Sequence, residues 1–181
     1  MKINKINEKV SFYMLELRKL EVSDKDKMEE LLRKIKINLE NELFWLPITT
    51  ESKEHFFDEE WTYFLGMFDG EELVAAVGLF FNINEYKDSE KILKLQNCKI
   101  AEIGRAMVAP EYRHNGFMNK ITKELINYAK EQKIQYLVAT AHPENIPSQK
   151  TLKALGMVKK ASCVKHGKYE RDVFLLKCYE I

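Results

Sequence analysis

Cysteine is scarce in this chain of 181 residues; Cys98, Cys163 and Cys178 are the three. An odd and widely spaced set does not suggest a disulfide framework or a zinc site, so no metal is expected. None lies at a helix start or in a histidine-paired context, so each reads as a small strand or loop residue rather than a nucleophile. Long apolar runs are missing too. No stretch approaches the roughly 20 residues of a membrane span. The opening "MKINKINEKVSFYMLELRKL" has neither the apolar centre nor the small-residue cleavage site of a secretory signal. The expectation is a cytoplasmic protein in a reducing compartment, with no membrane partner. An excess of one charge is also lacking: 29 Lys and Arg face 28 Asp and Glu, for a net charge of +1. That leaves no electrostatic case for a nucleic-acid partner, and any cationic site has to be local. Repeats, low-complexity tracts and linkers are absent as well.

What is present is globular: 45% of residues are hydrophobic and 31% charged. A chain of this length buries a substantial core, so a single domain over 1–181 is expected. β-Forming residues over 10–19 predict a first strand. Ser23-Asp24-Lys25-Asp26 supplies a capping signal. Met28, Leu31, Leu32, Ile35 and Leu39 follow at helical spacing and predict a helix over 24–39. Residues 42–60 are mixed and broken by Pro47, with a short second helix near 51–59. Strands over 61–68 and 73–81 flank an Asp-Gly turn. A polar connection through "NINEYKDSEK" leads to a strand over 99–108.

A helix over 116–132 carries Met118, Ile121, Leu125 and Tyr128 on one face. A strand over 134–141 and a helix within 142–156, with Pro147 in its first turn, come next. Two final strands turn near Gly167. The order β-α-α-β-β-β-α-β-α-β-β predicts an α+β domain. Its central sheet is mixed and mostly antiparallel, with about seven strands flanked by about four helices. The run over 99–141 predicts a parallel pair joined by a right-handed crossover.

The crossover begins with "VAPEYRHNGFMNK", residues 108–120. A helix start leaves four backbone N–H groups without intrahelical partners, and the macrodipole adds roughly half a positive charge there. Gly116 permits close approach or positive φ, and Arg113 adds a charge-assisted contact. Together they make a cradle for a pyrophosphate-sized anion. Arg-x-x-Gly alone is also compatible with a plain helix N-cap. The span has neither the P-loop pattern nor the dinucleotide glycine pattern.

Its context narrows the reading. Val108, Pro110, Arg113 and Gly116, then an apolar strand, Asn145, a helix, and Gly156 with Met157 resemble the GNAT superfamily of acyl-CoA-dependent N-acetyltransferases. The specific match covers about 99–158. The resemblance implies a parallel pair that splays apart. It implies that Met107 and Val108 hold the pantetheine arm of acetyl-CoA through their backbone. It implies that Arg113, His114, Asn115, Gly116, Phe117 and Met118 supply N–H groups to the pyrophosphate. Met118 stands where the family often has a small residue. Asn145 matches a cofactor-arm contact, and also suits a cap on the helix that begins near Pro147.

Seven residues beyond Asn145 the family often carries a Tyr that acts as general acid to the leaving thiolate, but this chain has Leu152, which with Leu155 reads as core. Tyr169 or a water is left for that role without support from spacing. Glu102, six residues before Val108, matches a catalytic or water-activating Glu and is the preferred general base. The competing reading is a strand Glu that pairs with Arg105 or faces solvent. Strict alternation puts Glu102 and Arg105 on opposite faces, unless a bulge breaks parity.

Arg105 is a candidate for an acidic part of the acceptor, or a structural arginine. His142 is a candidate proton shuttle, or a hydrogen-bonded loop histidine. Phe44 and Trp45 lie where the family shapes its acceptor pocket, and can equally cover the sheet edge. The expected activity is acetyl transfer from acetyl-CoA to a primary amine, of a small molecule, by direct attack in a ternary complex. A non-catalytic acyl-CoA sensor or scaffold, and a protein N-terminal or lysine acetyltransferase, are the alternatives. A strand at 171–179 is a candidate to pair across a homodimer.

Overall fold

The computed structural model describes residues 15–81 and 84–178. Its strands are β1 Leu15–Lys19, β2 Thr62–Asp69, β3 Glu72–Phe80, β4 Ile100–Val108, β5 Tyr136–Ala141, β6 Val158–Lys165 and β7 Tyr169–Lys177. Its helices are α1 Lys25–Ile37, α2 Thr50–Glu54, α3 Asn84–Ile92, α4 Phe117–Glu131 and α5 Ile146–Ala154. The seven strands form one sheet in the order β1-β2-β3-β4-β5-β7-β6. β4 and β5 run parallel, and every other neighbouring pair is antiparallel. Residues 10–14 of the expected first strand lie outside the described residues.

Continuous apolar runs explain the centre of the sheet. From Leu73 to Phe80, β3 is buried on both faces, as a strand sandwiched between helices must be. α4 covers one face through Ile121, Leu125 and Ala129, each 0% exposed. α1 buries Met28, Leu31 and Ile35 against the same core. Gly78 is fixed by close approach: a Cβ there would lie 2.5 Å from the Phe64 ring.

Three elements depart from the sequence expectation. The connection after β3 contains a helix, α3, rather than an irregular link. Its Lys, Glu and Asp residues carry no apolar stripe, so periodicity had nothing to report. The element is anchored by Ser89, 0% exposed, and by Leu93 and Leu95 beyond its end, which join the cluster of Val138 and Val173. α2 is shorter than expected: the Thr49 hydroxyl caps it by accepting from Ser52 N, and it ends at Glu54. Phe56 then leaves the helix to stack on Phe64 at 4.5 Å. Finally, β7 lies between β5 and β6, so both its edges are occupied and it offers none to a second copy.

The parallel pair opens. Pairing of β4 with β5 runs from Ile100↔Tyr136 to Ile103↔Ala139, yet β4 continues to Val108 and β5 to Ala141. A bulge turns β4 at this point. Between Gly78↔Gly104 and Ala76↔Met107, β4 takes three steps where β3 takes two. Arg105 sits in the bulge with φ 50°. This is the splay that the family resemblance implied. Among the described residues, no helix is long and apolar enough to cross a membrane.

Candidate active site

The mouth of the opening is built at the end of β4. A 3-10 turn, Pro110–Tyr112, leads toward α4. Tyr112 is buried, and its hydroxyl donates to Asp69 Oδ2 at 3.0 Å, tying this turn to the β2–β3 hairpin. Burial, and then the Asp69 carboxylate, push the phenol pKa to about 12. His114 and Gly116 adopt φ of 67° and 75°. Asn115 Nδ2 donates back to the carbonyls of Tyr112 and Arg113, at 3.1 and 3.2 Å. The backbone therefore curls before the helix begins.

Gly116 is the N-cap of α4, and no side chain caps that start among the described residues. A Cβ built on Gly116 meets none of them within 4 Å. The first-turn N–H groups of α4 thus have no side-chain cap at Gly116 among the described residues, and they carry the positive end of the helix dipole. Arg113 is half-buried beside them, while His114 and Asn115 are exposed. Met118 packs against the core instead of filling the space. Phe117 and Met107 are buried and Val108 is half-buried, so what Met107 and Val108 offer the opening is backbone.

A second helix start lies at the same end of the sheet, because α5 follows β5 as α4 follows β4. Asn145 caps it: Oδ1 accepts from Ser148 N at 3.1 Å. The Asn145 amide nitrogen takes no part in that cap. Leu152 is buried and Leu155 packs on the core.

The closed end of the opening is polar. Glu102 lies one residue before the last β4–β5 pair and is 3% exposed. Its Oε1 accepts from Lys165 Nζ at 3.3 Å, and Lys165 is also 3% exposed. Sequence analysis passed over Lys165. The structure supplies what the sequence did not: Ala161, Cys163 and Lys165 are the less exposed positions of β6, and Ser162 and Val164 the exposed ones, so period two puts Lys165 inward.

Two buried arginines hold the segment 43–47 above this floor. Arg171, 2% exposed, donates from Nη2 to Leu43 O at 2.8 Å, and desolvation lowers its pKa. Arg105 donates to Leu46 O at 2.7 Å and to Pro47 O at 2.9 Å. Its guanidinium also lies 5.7 Å from the Trp45 ring. Alternation would have put Glu102 and Arg105 on opposite faces. The bulge cancels that parity, and both serve the side that this segment covers. Phe44 packs its ring 5.2 Å from the ring of buried His142. His142 Nδ1 accepts from Glu144 N at 3.2 Å. An imidazole that accepts at Nδ1 carries its proton on Nε2 and can donate from there. Among the described residues no three His, Cys, Asp or Glu side chains converge as a metal would require.

The sheet order and the splayed parallel pair, with a helix start beyond each strand, define the class of fold as GNAT-like α+β. The chain belongs to the GNAT acetyltransferase family, whose acetyltransferase (GNAT) domain profile matches residues 14–158. It is 30% identical over 109 residues to an uncharacterized N-acetyltransferase, YnaD, of Bacillus subtilis (strain 168). That alignment takes in 51% of this chain and 61% of the relative, so the chain spans about three fifths of its length. Among solved structures, the N-acyl amino acid synthase FeeM from uncultured soil microbes superposes with a TM-score of 0.70. The identity is 15%, with 91% of each chain covered. NAA60 of Arabidopsis thaliana, in complex with acetyl-CoA, gives 0.69 at 15% identity, covering 91% of this chain and 98% of that one. At these identities the structural likeness is one of fold.

Proposed function

We propose that the chain transfers an acetyl group from acetyl-CoA to the primary amine of a small molecule, by direct attack in a ternary complex. The carrying observation is the strand opening that closes at Ile103 and Ala139, with an uncapped helix start at its mouth and a buried carboxylate, Glu102, at its closed end. An extended amide chain can add to the free edge of a splayed strand. Met107 and Val108 would hold the arm in this way. The N–H groups from Arg113 to Met118, with the Arg113 guanidinium, suit the pyrophosphate. The reading is supported by Gly116, where a Cβ would meet no described residue within 4 Å. Asn145 would use its amide nitrogen on the arm, beyond its role as cap.

In the reaction the amine attacks the thioester carbonyl, whose oxygen is held by strand N–H groups near Met107 and Val108. Glu102, directly or through a water, takes the proton that an alkylammonium must lose before it becomes a nucleophile. Leu152 is core, so the leaving thiolate has no tyrosine at that site. Arg105, Phe44, Trp45 and His142 act as the wall of the acceptor side. Arg105 acts through the loop it holds, and His142 through its Nε2 proton. A small acceptor is favoured because segment 43–47, clamped by Arg105 and Arg171, roofs this side against a polypeptide.

The test is thiol release from acetyl-CoA across a panel of amines and peptides. At least one amine is expected to drive release, and Glu102→Gln should lose about 10²–10⁴-fold in kcat. It should keep the rise in melting temperature that acetyl-CoA causes. A second reading, an acyl-CoA-holding domain without turnover, draws on the Glu102–Lys165 ion pair and on Leu152. Calorimetric binding of acetyl-CoA with no thiol release across the panel would favour it.

A further inference from the structure

We infer that Lys165 is itself an acetyl acceptor: the protein modifies its own lysine from acetyl-CoA bound in the opening. The inference rests on the proposed use of acetyl-CoA, and it assigns a modification site inside the same cleft. Glu102 occupies the vertex of the splay, one residue before the last β4–β5 pair, where a thioester arm laid between the strands would end. The group already seated against this carboxylate is a primary alkylamine, Lys165 Nζ, at 3.3 Å from Oε1. Both side chains are 3% exposed. In chemistry and position, Lys165 is what the mechanism asks of an acceptor: an alkylammonium held by the base, out of bulk water.

Other lysines of this hairpin differ. Lys159, Lys160 and Lys168 are exposed. Lys159 is held by Asp172 at 2.6 Å, but Lys165 alone of these four is buried and in contact with Glu102, and an intramolecular acceptor in contact with the base has the advantage of proximity over one that must diffuse in.

The step balances as follows. Glu102 takes one proton from the Lys165 ammonium and passes it to solvent. The free Nζ attacks the acetyl carbonyl carbon, forming the C–N bond. The C–S bond breaks, and the second proton lost by nitrogen neutralises the departing thiolate. The products are Nε-acetylated Lys165, free coenzyme A thiol and one released proton. The acetylated side chain is a neutral amide, so the Lys165 charge is removed from Glu102.

The experiment incubates the purified protein with acetyl-CoA, without an added amine, and maps acetylated peptides by mass spectrometry over time. A parallel melting measurement with and without acetyl-CoA reports cofactor binding separately. The expected result is one acetyl group on Lys165, with Lys159, Lys160 and Lys168 unmodified over the same period. The rate should be first order and independent of protein concentration, and Glu102→Gln should slow it at least tenfold. Lys165→Arg should gain no acetyl group; if it fails to fold, the wild-type peptide map still decides. A melting shift with Lys165 unmodified would overturn the inference while leaving the cofactor reading intact. Acetylation spread evenly over exposed lysines, or a rate rising with protein concentration, would overturn it as well. No shift and no modification would remove both readings together.

Discussion

Glu102 and Lys165 stand on strands separated by β5 and β7, yet their side chains meet at 3.3 Å. Glu102 entered as a base candidate through the family resemblance, which points to a Glu on the strand before Val108. Its lysine partner was not legible, because no local spacing links residues 63 positions apart across two intervening strands. Asn145 shows the converse: both readings given to it from the sequence can hold at once, since the cap uses only its oxygen. Tyr112 gives a residue-scale prediction. Burial and Asp69 favour its neutral form and raise the phenol to about 12, whereas an unfolded tyrosine ionises near pH 10, or about that. A raised pKa stabilises the fold fully below about pH 10, and the contribution fades as pH climbs through about 12. Urea unfolding should therefore show a stability gap between wild type and Tyr112→Phe that is constant from pH 7 to about 10 and shrinks above it. A gap that widens with alkaline pH would refute this account.

At the scale of elements, periodicity was sufficient for α1 and α4, whose apolar residues recur at helical spacing, and Pro147 marked the first turn of α5. Periodicity was blind to α3, which docks through Ser89 and through the leucines beyond its end. The start of α4 was readable from Arg113 and Gly116, since open backbone N–H groups follow from any helix start. Gly116→Ala tests it. The new Cβ meets no described atom within 4 Å, so the cost is backbone strain alone, about 1–2 kcal/mol. The affinity for acetyl-CoA should fall with it, measured by calorimetry.

The arginine clamps on segment 43–47 were not legible, because their acceptors are main-chain carbonyls that carry no sequence signature. Arg171→Met should cost about 1.5–3 kcal/mol in denaturant unfolding, the usual worth of a hydrogen bond to a charged donor. Amide exchange should rise in 43–47. Arg105→Met should act on the same segment. The double variant should then lose less than the sum of the two, because residues sharing one partner couple.

For the whole molecule, composition and element order sufficed for the mixed sheet with one parallel crossover. They did not reveal that β7 is interior, which closes the strand that the sequence offered for dimer pairing. Global stability has an acid limb of its own. The bidentate hydrogen bonds from Arg18, at 2.7 Å each, hold the Asp24 carboxyl below the usual range, against the opposing effect of burial. A depressed carboxylate stabilises the fold above its unfolded pKa of about 4, and that contribution is lost as pH falls through the folded value. Asp24→Asn should thus flatten the fall in melting temperature below about pH 4. An unchanged acid limb would exclude Asp24 as its source.

The central claim concerns the opening between β4 and β5, and thiol release tests it most directly. Wild-type protein and Glu102→Gln are each given acetyl-CoA and the amine panel. The account predicts amine-dependent release by the wild type, a loss of about 10²-fold or more in kcat for the variant, and the same acetyl-CoA affinity in both. Equal turnover by the two proteins would contradict it.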